Sequence, residues 1–176
     1  MLQIIHISDF HLDNKILTAS KERLANAFIE DLKKQDIDFE KCILIISGDL
    51  IDKGGSGFSD IDEAFSTFES FFLNKITDTI KITRERIFFV PGNHDIDRTE
   101  ANEYIEKAIN EDLTDVDKVK SFIKNNRQSL KNLKPIESYK KFETKFYEKN
   151  FGKKYISNFE SCFFYENIGV ACLNSS

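Results

Sequence analysis

Three short runs of apolar residues punctuate an otherwise mixed chain: residues 2–7, 42–47 and 86–90. Each is rich in β-branched or aromatic side chains and is closed by a charged or turn-forming residue, the pattern of a buried strand. Cys42-Ile43-Leu44-Ile45-Ile46-Ser47 shows no polar alternation, so this strand is expected to be covered on both faces. Between the runs the period changes. Leu24, Phe28 and Leu32 fall on one face of a helix over 19–34, with Ser20 as candidate cap. Ile61, Phe65, Phe68, Phe72 and Ile76 predict a second helix over 60–76. Strand, helix, strand, helix, strand implies a parallel sheet with right-handed crossovers. From Thr99 to about Tyr147 the chain reads as helical and polar, without a strand candidate. Ser161–Glu166 and Ile168–Leu173 read as two strands joined by Asn167, a hairpin or the edge of a second sheet. Asn174-Ser175-Ser176 then follows a very apolar strand directly, which reads as a cut through a core and predicts further sequence or domains beyond it.

Composition narrows this little. With 176 residues, 40% hydrophobic and 31% charged, the chain fits one soluble domain. Its net charge of −5 excludes a global basic field. No apolar stretch approaches the roughly 18 residues of a membrane span, and the run from Met1 to Ser8 is too short for a secretory signal. Cys42, Cys162 and Cys172 lack paired spacing and read as buried free thiols, which predicts a cytoplasmic compartment. Charge is unevenly spread. Between Lys118 and Lys154 there are 12 Lys or Arg against 3 Glu, a net of +9 in a chain of net −5. Lys120, Lys124, Arg127, Lys131 and Lys134 recur at helical spacing, with Val119, Ile123, Leu130 and Leu133 on the apolar side. They form either a solvated helix face or a basic cap that holds a polyanionic substrate; residues 99–160 are read as this helical, basic insert.

The chemistry lies where the apolar runs end. The first opens onto Asp9-Phe10-His11, the second onto Gly48-Asp49-Leu50-Ile51-Asp52 and the third onto Gly92-Asn93-His94-Asp95. In open α/β sheets ligands bind outside the carboxyl ends of the strands. Carboxylate, imidazole and amide oxygen are ligands for hard and borderline divalent cations. Asp9 and His11, two apart on a loop, can point at one ion; Asp49 could bridge two, and Asn93 could reach the second. A pair of ions about 3.5–4 Å apart brings the pKa of a shared water from 15.7 to about 7, which supplies hydroxide for in-line attack on phosphorus. His94 suits protonation of the leaving oxygen, with Asp52 to orient it. Singly, each residue has a plainer reading as a cap or turn former; their coincidence on three successive strand ends favours one site. His6, within its strand, is expected to have a core or ligand-supporting role. Asp13 and Asp95 are expected to serve turns, and Gly92 to let the backbone bend tightly. Lys53-Gly54-Gly55-Ser56-Gly57 lacks a P-loop ending and reads as a connector.

Asp9-Phe10-His11, Gly48-Asp49-Leu50-Ile51-Asp52 and Gly92-Asn93-His94-Asp95 resemble the D-x-H, G-D-x-x-D and G-N-H-D/E signatures of the calcineurin-like metallophosphoesterase superfamily, over about residues 1–98. The resemblance implies a four-layer α/β/β/α sandwich, here its first half plus the helical insert, in a single domain over 1–176. It also implies two divalent ions (Mn, Fe, Zn or similar) and hydrolysis of phosphomonoesters or phosphodiesters. By position, Asp9 and His11 would bind the first metal, Asp49 would bridge, Asn93 would bind the second, and His94 with Asp52 would serve acid catalysis.

Departures from that pattern shape the expectation. The family completes its site with a further His and a G-H-x-H motif, whereas no histidine follows His94 in this chain. Alone it is therefore expected to bind metals weakly and hydrolyse poorly. Lys53 and Asp95 stand where protein phosphatases carry Arg and Glu. Ser8-Asp9-Phe10-His11-Leu12 matches the phosphodiesterase and nuclease-like branches. A phosphodiesterase acting on a phosphoester substrate, with nucleic acid or nucleotides among the candidates, is the first expectation. The alternatives are a catalytically incomplete module that binds partners or regulates a fused effector, and a phosphomonoesterase or protein phosphatase.

Overall fold

The three apolar runs lie side by side. β1 (Gln3–Ile7), β2 (Cys42–Ser47) and β3 (Ile87–Val90) form a parallel sheet in that order, in register from Gln3 against Cys42 to Ser47 against Val90. The computed structural model describes residues 2–16, 19–130, 133–148 and 154–174. Parallel strands require crossovers. Here they are α1 (Ala19–Lys34) and a longer helical run made of α2 (Ile61–Phe68), a π turn (Glu69–Leu73) and α3 (Asn74–Ile80).

β2 is covered on both faces as its unbroken apolar run predicts: Ile43, Leu44 and Ile46 are buried and Ile45 is half-buried. β1 is covered on one face only, with Ile5 buried and Ile4 58% exposed. In α1 the buried stripe is Ala25, Ile29 and Leu32, so Leu24, expected inward, is 57% exposed. One residue turns a helix by about 100°, so the burial of Ala25 turns its neighbour Leu24 away from the core. Since α1 begins at Ala19, Ser20 lies in its first turn instead of capping it. Ile61, Phe65, Phe68, Phe72 and Ile76 are all buried, as their spacing predicts. Asp60 caps that run by accepting the Glu63 N–H at 2.7 Å, and Lys81, in a left-handed conformation, ends it. The π turn accommodates one extra residue; Phe72 and Leu73, adjacent in sequence, are both buried there.

The polar middle folds as α4 (Glu103–Asp112), α5 (Val116–Asn126) and α6 (Glu137–Tyr147), with Asn102 and Asp115 capping α4 and α5. The lysine row is not one helix face. α5 ends at Asn126, Lys134 sits in a 3-10 turn ahead of Pro135, and Lys131 lies outside the described residues. Most of these cations have local partners: Lys118 with Asp112, Lys120 with Asp117, Arg127 with Glu160, and Lys134 and Lys141 with Glu137.

A second, antiparallel sheet is built from β4 (Lys154–Ile156), β5 (Glu160–Tyr165) and β6 (Ile168–Leu173). β5 and β6 are the expected hairpin. β4 is too short and too polar to announce itself. Phe89 packs on Phe142 and Phe146 of α6, whereas its neighbour Phe88 packs on Phe163 of β5. Opposite faces of β3 therefore meet a helix and the second sheet. The open edge of β3 is covered by α6: the Tyr147 hydroxyl donates to the Ile87 carbonyl at 2.9 Å and Tyr139 to the Phe89 carbonyl at 3.3 Å. α6 is fastened to the second sheet by a buried ion pair, Lys140 with Glu143, whose other carboxylate oxygen accepts from Ser161 at 2.7 Å. Three layers are thus in place: helices, parallel sheet, antiparallel sheet. Among the described residues no helix covers the outer face of the second sheet, where Phe164 is 59% and Leu173 70% exposed.

Candidate metal centre

The loops leaving β1 and β2 continue side by side beyond the strands. The Asp9 N–H donates to the Gly48 carbonyl at 3.2 Å, His11 to Asp49 at 2.8 Å and Leu12 to Leu50 at 3.1 Å. Leu12, Leu50 and Ile51 are fully buried and plug the loops into the core. Between these plugs the chain must turn its polar side chains the other way. It does so with Asp9, His11 and Asp49 at φ of 56°, 47° and 52°, a region that side chains with a Cβ seldom occupy. Gly48, at φ 86°, makes the same turn without strain.

The third loop is fastened to the second by Asp95. This fully buried carboxylate accepts the Ile51 N–H at 3.0 Å and the Gly92 N–H at 2.8 Å. Asp95 thus stabilises its turn as expected, and joins two motifs as well. Burial pushes its pKa up to about 7, against the pull of those N–H donors. Gly92 is needed for a different reason from the one expected: its φ is not positive, but a Cβ there would lie 2.1 Å from Asp49 Oδ1. The Lys53–Gly57 connector is also tied in, with the Gly54 N–H donating to the His94 carbonyl at 2.8 Å.

These ties bring the candidate residues together. His11 Nε2 lies 3.7 Å from Asp49 Oδ2 and 3.8 Å from Asp9 Oδ1. The His11 and His94 rings meet edge to face at 4.6 Å. His94 donates its N–H to Asp49 Oδ1 at 2.9 Å, and its Nδ1 faces Asp52 Oδ1 at 3.0 Å and the Lys53 N–H at 3.1 Å. One ligand atom from each of His11, Asp49 and His94 falls within 4.8 Å of the others, close enough for a shared ion. Asp9 borders this group with its carboxylate 67% exposed, and Asn93 is exposed on the adjoining turn. The donors that converge are therefore two of the expected ligands plus His94, the expected acid.

A cation fits this set on a further ground. His11 Nδ1 is buried without a hydrogen-bond partner, although Asp52 Oδ1 lies 3.5 Å away. Buried polar atoms rarely go unpaired. Asp9, Asp49 and Asp52 around two imidazoles make a site that favours positive charge. His6 is not in the core: its ring is exposed and its Nε2 contacts Ser47 Oγ at 2.6 Å. Cys42 and Cys172 are buried free thiols, and Cys162 is a half-buried one.

Lys53 and Phe10 also border the site without having been singled out for that, and Gly92 does so through a close approach to Asp49 that was not expected. Only the spacing of Phe10 between two donors offered a hint, since the other two act through backbone contacts between loops.

Comparison with known proteins agrees with this geometry. The family model described as calcineurin-like phosphoesterase matches residues 2–166. An uncharacterized metallophosphoesterase-like protein of Bacillus subtilis (strain 168), YydB, is 31% identical over 100 residues, which cover 55% of this chain and 18% of the relative. The chain thus matches less than a fifth of that relative's length. No solved structure matches the chain significantly. No helix among the described residues is long and apolar enough to cross a membrane. With its three motif loops converging on one cluster of donors and the family model spanning nearly all of it, this chain belongs to the calcineurin-like phosphoesterase family.

Proposed function

We propose that the whole protein is a metal-dependent phosphoester hydrolase that prefers diesters, and that this chain carries its first set of metal donors. The observation that carries the reading is the convergence of His11, Asp49 and His94 at the ends of three neighbouring parallel strands. Asp9, His11, Asp49 and Asn93 are the proposed ligands of two divalent ions. Bound there, the ions would supply positive charge to the phosphoryl oxygens and hydroxide near neutral pH. The residues do the rest. Asp49, held by the His94 N–H, keeps its other oxygen turned to His11. His94, with Nδ1 turned to Asp52 and Lys53, leaves Nε2 to deliver a proton to the departing oxygen. Asp52 orients the ring through its contact with Nδ1.

Nucleic acid remains a candidate substrate, but the basic stretch lends it little support. Most of its described cations are already paired with carboxylates. The free thiols suit a cytoplasmic setting. The test is Mn²⁺ titration followed by hydrolysis of bis-p-nitrophenyl phosphate and p-nitrophenyl phosphate by the whole protein. Faster diester turnover, with Mn²⁺ uptake abolished in Asp49→Ala, is the expected result. Metal uptake without hydrolysis of either ester would favour a second reading, a module that binds a partner or regulates a fused effector. That reading rests on the single group of three His/Asp donors, enough for one ion, that the described residues assemble.

A further inference from the structure

Between the donors Asp9 and His11 stands Phe10, which is buried while Asp9 is exposed and His11 half-buried. Its ring lies 4.5 Å from that of Phe72 in the π turn and 5.4 Å from that of Phe68 at the end of α2. Phe28 of α1 backs Phe72 at 6.2 Å. Lys21, also from α1, holds Phe10 a second way. Its ammonium sits 5.3 Å from the ring centroid and donates to the Phe10 carbonyl at 2.7 Å. Ring and carbonyl are thus fixed by two helical elements that contribute no donor to the metal centre.

What this anchor opposes is visible on either side of it. Asp9 and His11 both adopt positive φ, a conformation that persists in residues with a Cβ only where the surroundings over-determine it. Their N–H groups are held by Gly48 and Asp49. Those bonds tie the loop's backbone to its neighbour, and the side chain between them is tied separately. The burial of Phe10 between the two left-handed residues decides which way the flanking side chains face.

The geometry points to Phe10 as a positioning residue: by locking into the aromatic cage of the π turn and the grip of Lys21, it holds Asp9 and His11 in the left-handed backbone that presents their donor atoms together. Its effect on metal uptake rests on the metal-centre reading, whereas its effect on the backbone does not. The extra residue in the helical run belongs to the same device, since it lies where the helix supplies Phe72 to the cage.

The decisive measurement is made on metal-free protein, where backbone chemical shifts and HN–Hα couplings report φ at Asp9 and His11. Phe10→Leu is expected to move both residues out of the left-handed range. Phe163→Leu, an equally buried ring in the second sheet, is expected to leave them there. Mn²⁺ affinity measured by calorimetry should fall by about 10-fold or more in Phe10→Leu, the size seen when support behind a ligand is lost, and stay unchanged in Phe163→Leu. If Phe10→Leu does not fold, Lys21→Met, which removes only the grip on the carbonyl and the ring face, decides in its place. Retention of positive φ at Asp9 and His11 in the deciding variant overturns the inference, as does an equal change in Phe163→Leu. Should the whole wild-type protein take up no Mn²⁺, the metal-centre reading fails and the φ values still decide this one.

Discussion

His94 Nδ1 sits 3.0 Å from Asp52 Oδ1 and 3.1 Å from the Lys53 N–H, so one ring nitrogen faces both an acceptor and a donor. The two contacts cannot both be hydrogen bonds in one protonation state. A charged ring donates from Nδ1 to Asp52. A neutral ring with its proton on Nε2 accepts from Lys53 instead. A neutral ring with its proton on Nδ1 also donates to Asp52 but leaves Nε2 bare, so only the charged ring combines the Asp52 contact with an Nε2 proton for a leaving oxygen.

Asp52→Asn replaces the carboxylate that faces His94 Nδ1 but leaves the side chain's size unchanged. Positioned proton transfer contributes about 10²–10⁴-fold to rate, so kcat on bis-p-nitrophenyl phosphate should fall by about 100-fold while KM changes little. An unchanged kcat would remove Asp52 from the acid's support.

Gly92→Ala tests the closeness of the second and third loops. The new Cβ would lie 2.1 Å from Asp49 Oδ1 and 2.4 Å from Asp49 N, both fixed by their surroundings. Overpacking of this kind costs about 1–3 kcal/mol, and it must also push the Asp49 carboxylate away from His11. Urea unfolding should show the loss of stability and Mn²⁺ titration the loss of affinity. Gly169→Ala, whose Cβ would meet nothing nearer than Phe164 Cε1 at 3.7 Å, should show neither.

Glu143 gives the fold a pH dependence of defined sign. Burial pushes its carboxyl above the usual 4.5, against the pull of Lys140 and Ser161. A raised folded-state pKa means that the native protein holds the proton more tightly than the unfolded chain does. Its contribution to stability is therefore complete below 4.5 and is lost as pH rises through the raised value. Urea unfolding across that window should show the decline in wild type and a flatter curve in Glu143→Gln. Glu143→Ala at neutral pH should cost more, about 3–5 kcal/mol, because it strands a buried ammonium on Lys140.

Much of this molecule was legible in its residue pattern. The unbroken apolar run of β2 announced a strand covered on both faces, and the spacing of Ile61, Phe65, Phe68, Phe72 and Ile76 announced a buried helix, because solvent exclusion acts on periodicity directly. The convergence of His11, Asp49 and His94 was also foreshadowed, by the recurrence of such residues after three successive apolar strands. Pattern failed where burial was set by partners distant in the chain. Leu24 turned outward because the buried face of its helix runs through Ala25, Ile29 and Leu32, and β4 formed where β5 offered it an edge. The lysine row broke at Asn126, where α5 ends, so Lys134 falls in a separate 3-10 turn.

The residue order by itself therefore determined a parallel α/β core and which loops would carry the donors. Tertiary structure decided how those donors meet: that Asp95 would bind two loops together, that Gly92 would make room for Asp49, and that His94 would stand with His11 and Asp49 while Asn93 faces outward. The physical reason is that a side chain's chemical type is local, whereas its direction is set by left-handed turns and interloop hydrogen bonds. Both are held in place by residues far away in sequence.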